Sequence, residues 1–367
     1  KGLITKLNPV VLKRIAYSLD EVEVFGERYK RPKGLDAITR MPLIPSDQIQ
    51  TISIISNIVI EAQGVLSLAD AMRNIPGVTL FASYGGVKES MAARGFRGVP
   101  VLKNGVRMDS QFQIAGGIVD MQGVESIQMI KGSAAITQGV ITDLGNAGGV
   151  INVVTKTPNF VNAGLFGMRM GSWSQVRPVF DLESVIDKKE TLAFRMNGAY
   201  ERSDSYRSGV NSNRVFFNPS ISWHASDRTS ITLEADYLNS NVTPHSSAVN
   251  LNSSQGINAL YILPYDKLIG LATDNSNTVN KSVTASISHV LNQNWSLRGV
   301  YASNTAIINS VQTVASLISE DNPKFEKFTR SISRSGKSDN NATVQFDLIG
   351  ENFVIDFLLL KLSLLIF

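Results

Sequence analysis

The side chains equipped for chemistry are few in this sequence and poorly grouped. The 3 histidines, His224, His245 and His289, share no paired spacing, and Cys is 0. A histidine metal site is therefore not expected, and a disulfide framework, a thiolate zinc site and a cysteine nucleophile are excluded. The Gly-rich stretch from Gly145 to Gly149 could be mistaken for a dinucleotide fingerprint, but no amphipathic helix follows it, as that motif requires. There is no nucleophile–base constellation and no phosphate loop. Nothing reads as catalysis, so neither an enzyme nor a resident cofactor is expected.

The bulk composition narrows the class further. Lys+Arg number 35 and Asp+Glu 31, giving a net charge of +4 that is spread along the chain; this is no nucleic-acid footprint. At 43% hydrophobic residues and a mean hydropathy of +0.02, the chain has no apolar run of about 18 residues that would cross a bilayer as a helix. A membrane β-barrel stays open, because its strands carry only a weak alternating signal. A length of 367 residues suits two or three domains, or one large barrel with an appendage. The chain starts at Lys1 with no signal peptide in view, as expected of a processed chain or a fragment.

The elements that would position any binding residue centre on Gly123 to Lys156. Val124, Ser126, Gln128 and Ile130 alternate with Glu125, Ile127 and Met129, which predicts a strand ended by Gly132-Ser133. Behind Gly148-Gly149, the run Val150, Ile151, Val153 and Val154 predicts a buried strand. Alone, these two would suit an ordinary α+β domain. Upstream, Ile49 to Ile60 is a β-branched run expected as a strand, and Arg28 to Pro45 reads as a linker. Ser67 with Asp70 predicts a helix start. Leu68, Ala71, Met72 and Ile75 share one face, and Pro76-Gly77 is the stop. Asn104-Gly105 between Val99–Leu102 and Val106–Met108 predicts a hairpin. Thr137 to Gly149 reads as a loop.

From Ala163 onward the pattern is one of hairpins. Val215, Phe217, Pro219, Ile221 and Trp223 alternate with Phe216, Asn218, Ser220 and Ser222. Ile231, Leu233, Ala235 and Tyr237 alternate with Thr232, Glu234 and Asp236. Short turns at Asp187–Glu190, Ala225–Arg228 and Asn292–Asn294 alternate with polar stretches at Arg202–Asn213, Ser240–Asn280 and Asn304–Asp339, expected as long loops on the opposite rim. About eight strands are expected. A secreted β-sandwich would share this alternation; the aromatics Trp173, Tyr200, Trp223, Tyr237, Trp295 and Tyr301 near strand ends favour interfacial girdles and a barrel.

The order of short motifs carries a resemblance. Pro76-Gly77-Val78, then Ala93-Arg94-Gly95-Phe96, then Asn104-Gly105, then the stretch from Gly123 that closes on Gly148–Lys156, together resemble the plug domain of TonB-dependent outer-membrane receptors, with the ferric-siderophore branch most similar. The likeness runs from about Leu19 to about Gly350. It implies an α+β plug followed by an antiparallel transmembrane β-barrel, all-β and apparently truncated. The expected divisions are 1–45 (extension with TonB box and linker), 46–160 (plug), 161–350 (N-terminal portion of the barrel) and 351–367 (anomalous apolar tail).

The same resemblance implies the function and its residues. Leu19, Asp20, Glu21, Val22, Glu23, Val24, Phe25 and Gly26 would be the TonB box, an extended segment that adds as a strand to a sheet edge of TonB, part of the inner-membrane energy-transducing complex. Plug loops Ser83–Lys88, Arg97–Pro100 and Ser110–Gln113 would face outward and hold the cargo. Tyr84, Lys88, Arg97, Gln111, Phe112 and Gln113 supply aromatic faces, amide donors and positive charge, which suit an anionic, oxygen-rich iron chelate and equally a sugar. Arg94 and Lys131 would anchor the plug to barrel glutamates, Lys131 as a point charge where arginine is more usual. The implied setting is the outer membrane of a Gram-negative bacterium, with its lipid, TonB and a ferric siderophore as partners and no nucleic acid. Another TonB-dependent cargo (oligosaccharide, cobalamin, haem), a non-transporting β-rich surface protein and an inactive fragment stay open. After Gly350 the alternation gives way to a run too short to span as a helix. Since such barrels close at about 22 strands, a truncated or frameshifted end with two open sheet edges is expected.

Overall fold

The computed structural model of the chain describes residues 51–107, 119–132, 147–245, 266–317, 328–355 and 358–366. Its first part opens with β1 (Thr51–Ser56), α1 (Asn57–Ala62) and α2 (Leu68–Met72), followed by the short strands β2 (Val78–Ala82), β3 (Ser90–Ala93), β4 (Phe96–Arg97), β5 (Val101–Lys103) and β6 (Val106–Arg107). The long pair β7 (Val124–Lys131) and β8 (Gly149–Thr155) completes it. One sheet has the order β1-β7-β8-β5-β6, and a second has β2-β3-β4. The predicted pair is therefore central: β7 runs antiparallel to β8, with Ile127 opposite Val153 and Met129 opposite Ile151, while β5 lies parallel to the other side of β8. Every residue of β8 is buried, as its β-branched run implies.

The apolar side chains of this unit form one core. Leu68, Ala71, Met72 and Ile75 from the α2 region pack with Ile127, Met129, Ile151 and Val153. The Ser67 side chain caps α2 by accepting from the Asp70 N–H at 3.1 Å, one of the donors a helix start leaves unpaired. Polar residues on the sheet face mate with one another. Asn152 donates to Gln128 at 3.1 Å and accepts from the Gly105 N–H at 2.8 Å. One expectation is corrected. Ile49–Ile60 is not a single strand: it turns helical at Asn57, whose own side chain accepts from the Ile58 N–H at 2.9 Å. The helix buries Val59 and Ile60, and that burial overrides β propensity.

The second part is a single antiparallel sheet. It comprises β9 (Ala163–Gly171), β10 (Gln175–Val185), β11 (Leu192–Asp204), β12 (Asn211–Ser226), β13 (Thr229–Val242), β14 (Asn275–Val290), β15 (Trp295–Leu317), β16 (Phe328–Ile355) and β17 (Leu358–Ile366), each paired with the next in chain order. Its two faces invert the usual order of a soluble protein. Asn218, Ser220 and Ser222 of β12, Glu234 and Ser240 of β13, and Ser276, Thr278, Ser282 and Thr284 of β14 are buried on the inner face. Phe217, Ile221, Trp223, Leu233, Tyr237, Val283 and Ile287 face outward. That pattern is a lipid-facing wall with a polar lumen.

Three sequence expectations change here, but the strand number is not one of them: among the described residues β9 to β16 are the eight expected, and the ninth strand comes from the tail. Asn304–Asp339 is not a long loop: β15 and β16 run through most of it, with Asn304 opposite Asn341 and Thr313 opposite Ile332. Polar residues alternating with Ile and Val hid two strands longer than the membrane needs. The expected loops at Arg202–Asn213 and Ser240–Asn280 likewise lose residues to strands, β11 reaching Asp204, β12 starting at Asn211, β13 reaching Val242 and β14 starting at Asn275. The tail also joins the sheet. Residues 351–355 extend β16 and Leu358–Ile366 pairs with it, Leu348 opposite Leu364. The nine residues of this last strand, mostly apolar, are short for a helix yet suit a spanning strand.

Candidate functional site

Tight turns that only certain residues permit join the short strands of the first part. Tyr84, Gly85 and Gly86 have φ of 45°, 72° and 83°, and the turn is closed by Gly86 N–H to Ser83 O at 2.9 Å. Tyr84 is 59% exposed. Arg94-Gly95 has φ of 51° and 84° and joins β3 to β4, with Ala93 opposite Phe96; the Ala93–Phe96 motif is thus a two-residue hairpin turn. It sets Arg97 above the Phe81 ring, 4.5 Å from its centroid, within cation–π range. While Phe96 and the Arg94-Gly95 turn lie at the other end of β3, exposed Phe81 and Tyr84 with Arg97 give the Tyr84 end aromatic faces and a cation.

This end lies at the rim carrying the connections 205–210 and 243–274. His245, just past β13, donates its N–H to Gly85 O at 3.3 Å, the one backbone hydrogen bond between the two parts among the described residues. The short connections 186–191, 227–228 and 291–294 form the opposite rim. Of the sequence-derived cargo residues, Tyr84, Lys88 and Arg97 belong to the described end. Gln111, Phe112 and Gln113 lie outside the described residues, as does the Leu19–Gly26 segment.

Arg94 and Lys131 sit near one another: the Arg94 guanidinium lies beside Gly132, and burial followed by the Arg94 charge holds Lys131 below the usual lysine range. Among the described residues their pairing with a wall carboxylate is not seen. Other residues grip the wall. At the β5–β6 turn, Lys103 pairs with Glu234 at 3.0 Å and with Asp236. Asn104 and Thr155 donate to Glu234 at 3.1 and 2.8 Å. Asn218 donates to Glu234 at 3.0 Å and to Asp236 at 2.7 Å, and Ser282 donates to Asp236 at 2.6 Å. Glu234 is 3% exposed, and these donors offset the cost of burying a carboxylate there.

Two further clusters repeat the arrangement. Arg177 of β10 bridges Asp120 and Glu201, both at 2.6 Å. Lys156 reaches Asp181 at 3.0 Å. Arg195 grips the same carboxylate with two bonds of 2.9 and 3.0 Å, and donates a third to Thr157 O at 3.2 Å. Sequence reasoning missed Lys103, Asp120, Lys156 and their partners. The available signal was Glu234 and Asp236 on the polar side of an amphipathic strand, a costly place for two carboxylates unless a cation meets them.

A cavity of about 90 Å³ separates the parts between these clusters, lined by Leu102, Asp120, Val153, Phe216, Leu238 and Asn280 among others. An interface that is mostly charged and hydrogen-bonded, with one small apolar contact of Val106 against Val300 and Ala302, joins the two bodies. Residues 45–150 match the family model of the TonB-dependent receptor plug domain. That stretch is a plug domain of the TonB-dependent receptor type. The wall that follows is barrel of the same fold. The pyoverdine outer-membrane receptor of Pseudomonas aeruginosa superposes with a TM-score of 0.78 at 18% identity, covering 90% of this chain and 47% of that one. In sequence, the metal-pseudopaline receptor of Pseudomonas aeruginosa is 30% identical over 49% of this chain and 24% of its own length. The ferrioxamine B receptor of Salmonella typhimurium is 25% identical over 68% of this chain and 36% of its own. The chain thus spans about a quarter to a third of the length of the curated relatives it matches. Plug and lipid-facing wall together place the protein in the Gram-negative outer membrane.

Proposed function

We propose that the plug and wall belong to a receptor that binds a ferric siderophore at the outward plug loops and imports it into the periplasm. The observation that carries this reading is the exposed aromatic and cationic plug end, Tyr84, Phe81 and Arg97, presented at the rim with the long connections. Lys88 on the same loop, with Gln111, Phe112 and Gln113 on the next by sequence, adds a charge and amide donors suited to an anionic, oxygen-rich chelate. The names of the relatives, receptors for ferrioxamine B and for metal-pseudopaline, support a chelated metal as cargo. The second of these names also favours a chelate of a metal other than iron as an alternative.

Import needs work, and we assign its delivery to TonB acting on Leu19–Gly26 by strand pairing. The plug–wall junction supports such a step, because its polar groups exchange their bonds for bonds with water as they part, whereas those of a merged apolar core would not. The test is uptake of labelled ferric chelates by iron-limited cells. The protein should bind and import a ferric hydroxamate. Val22→Pro should stop import while surface binding persists, because proline removes a ladder donor. Alanine at Tyr84, Arg97 and Phe112 together should weaken binding without reducing protein in the membrane. Normal import by the Val22→Pro variant would move the coupling segment elsewhere.

A further inference from the structure

The rim residue that touches the plug loop has unused bonding capacity. His245 packs its imidazole against Gly86, where an added Cβ would lie 3.1 Å from Cε1. Its Nδ1 is buried without a hydrogen-bond partner, and so is Nε of Arg207 in the β11–β12 connection. The two residues lie on connections joined by the Thr243 N–H to Asn211 O hydrogen bond, and the Arg207 charge acts on the His245 ring. Burial, then that charge, holds the imidazole below the usual histidine range. Both residues are fixed in place. The Thr243 N–H donates to Asn211 O at 2.9 Å, the Val210 N–H to Arg207 O at 3.2 Å, and Arg207 leans over the Tyr206 ring at 5.5 Å.

A buried guanidinium nitrogen with no acceptor is uncommon and costs free energy. Arginine cannot discharge itself by losing a proton, so only an acceptor from outside the described protein relieves it. We propose that Arg207 and His245 form an anion subsite beside the Tyr84 loop, which takes a carboxylate or similar oxyanion carried by the cargo. The inference rests on the receptor reading above and sharpens it, adding a charge preference set by the barrel rim to the contacts of the plug. A guanidinium presents the planar fork that a carboxylate matches. The incoming negative charge would also offset the Arg207 charge that, after burial, holds the His245 ring below its usual range.

Two chelates with one iron centre test this: N-acetyl- and N-succinyl-ferrioxamine B, of which only the second has a free carboxylate. Binding to outer membranes carrying the protein should favour the succinyl form. Arg207→Gln should reduce succinyl affinity about tenfold more than acetyl affinity, as expected for loss of a charge-assisted bond, with Arg207→Lys in between. Equal losses for both chelates, or no preference in the unaltered protein, would overturn the subsite. A second readout does not need a chelate at all. With only 3 histidines in the chain, the His245 ring resonance is identified by its loss in His245→Gln. Added succinate should move it in the unaltered protein and not in Arg207→Gln. If neither chelate binds, the receptor reading fails and this resonance still decides the subsite. No movement, or equal movement in Arg207→Gln, means that water serves these nitrogens.

Discussion

The plug and the wall use the same residue types with opposite faces turned inward. In the plug, Ile127, Met129, Ile151 and Val153 are buried together and the charges lie outside. In the wall, Asn218, Glu234 and Ser282 are buried, while Leu233, Phe217 and Ile287 are on the surface. Only one of these units is stable in water by apolar burial; the other needs hydrocarbon on its outer face and a polar body on its inner face. The plug supplies that body through Lys103, Asn104, Thr155 and Lys156. The junction is therefore mostly electrostatic on both sides, so that it holds the plug in register and can still be parted.

The sharpest way to break the contrast is at Lys103. Lys103→Met leaves buried Glu234 and half-buried Asp236 without their cation, a loss of about 3–5 kcal/mol for a buried pair broken on one side. Hydrogen exchange in β5 and β6 should rise sharply while β7 and β8 stay protected. The triple variant that adds Glu234→Gln and Asp236→Asn should recover much of the protection. An unchanged exchange pattern would mean that the plug is held elsewhere.

Next come substitutions that separate the two kinds of burial. Ile151→Ala empties a fully buried plug position and should cost about 2–5 kcal/mol, seen as earlier urea unfolding of the plug with the wall's heat-modifiable gel mobility retained. Leu233→Arg, on the outward face of β13, should do the reverse. Its cost of about 2–4 kcal/mol near mid-membrane should appear as poor membrane insertion with the plug core intact. Equal effects of either change on both parts would show that they fold as one unit.

The smallest effect concerns acid within the plug. Glu89 accepts from the Ala69 N–H at 3.0 Å at the start of α2, and burial raises its carboxyl above the usual value, the hydrogen bond opposing. Because the folded value is the higher one, its contribution is full below the ordinary 4.5 and is lost as pH rises through the raised value. Glu89→Gln keeps an acceptor and should flatten the pH dependence of thermal unfolding over that window. A parallel curve, merely displaced, would assign the pH dependence to other groups.

Much of this was legible in the sequence where one local rule acted alone. Alternation marked β7, β12 and β13, β-branched residues marked β8, and Ser67 with Asp70 marked the start of α2. Asn104-Gly105 announced its hairpin because both residues need positive φ. Legibility ended where distant partners decide. Asn57–Ala62 is helical because Val59 and Ile60 find a core, which β-branched composition could not indicate. The length of β15 and β16 depends on their pairing with each other, so their polar residues read as loop. Arg94 occupies a tight turn. The anchoring falls to Lys103 and Lys156, whose partners are distant in sequence. The exposed plug end was legible in its residue types; His245 and Arg207 were not, since only the fold brings them together.

If the receptor imports cargo past its plug, the plug must move against the wall on which it is seated. The chain has no cysteine, so a pair introduced at Lys103 and Ser282, whose side chains meet at 3.3 Å, can be joined by a short bis-thiol cross-linker in intact cells. The expected result is that cross-linked cells bind a labelled ferric chelate and fail to import it, and that a cleavable linker, once cut, restores import. Import at the uncross-linked rate with the link intact would contradict it.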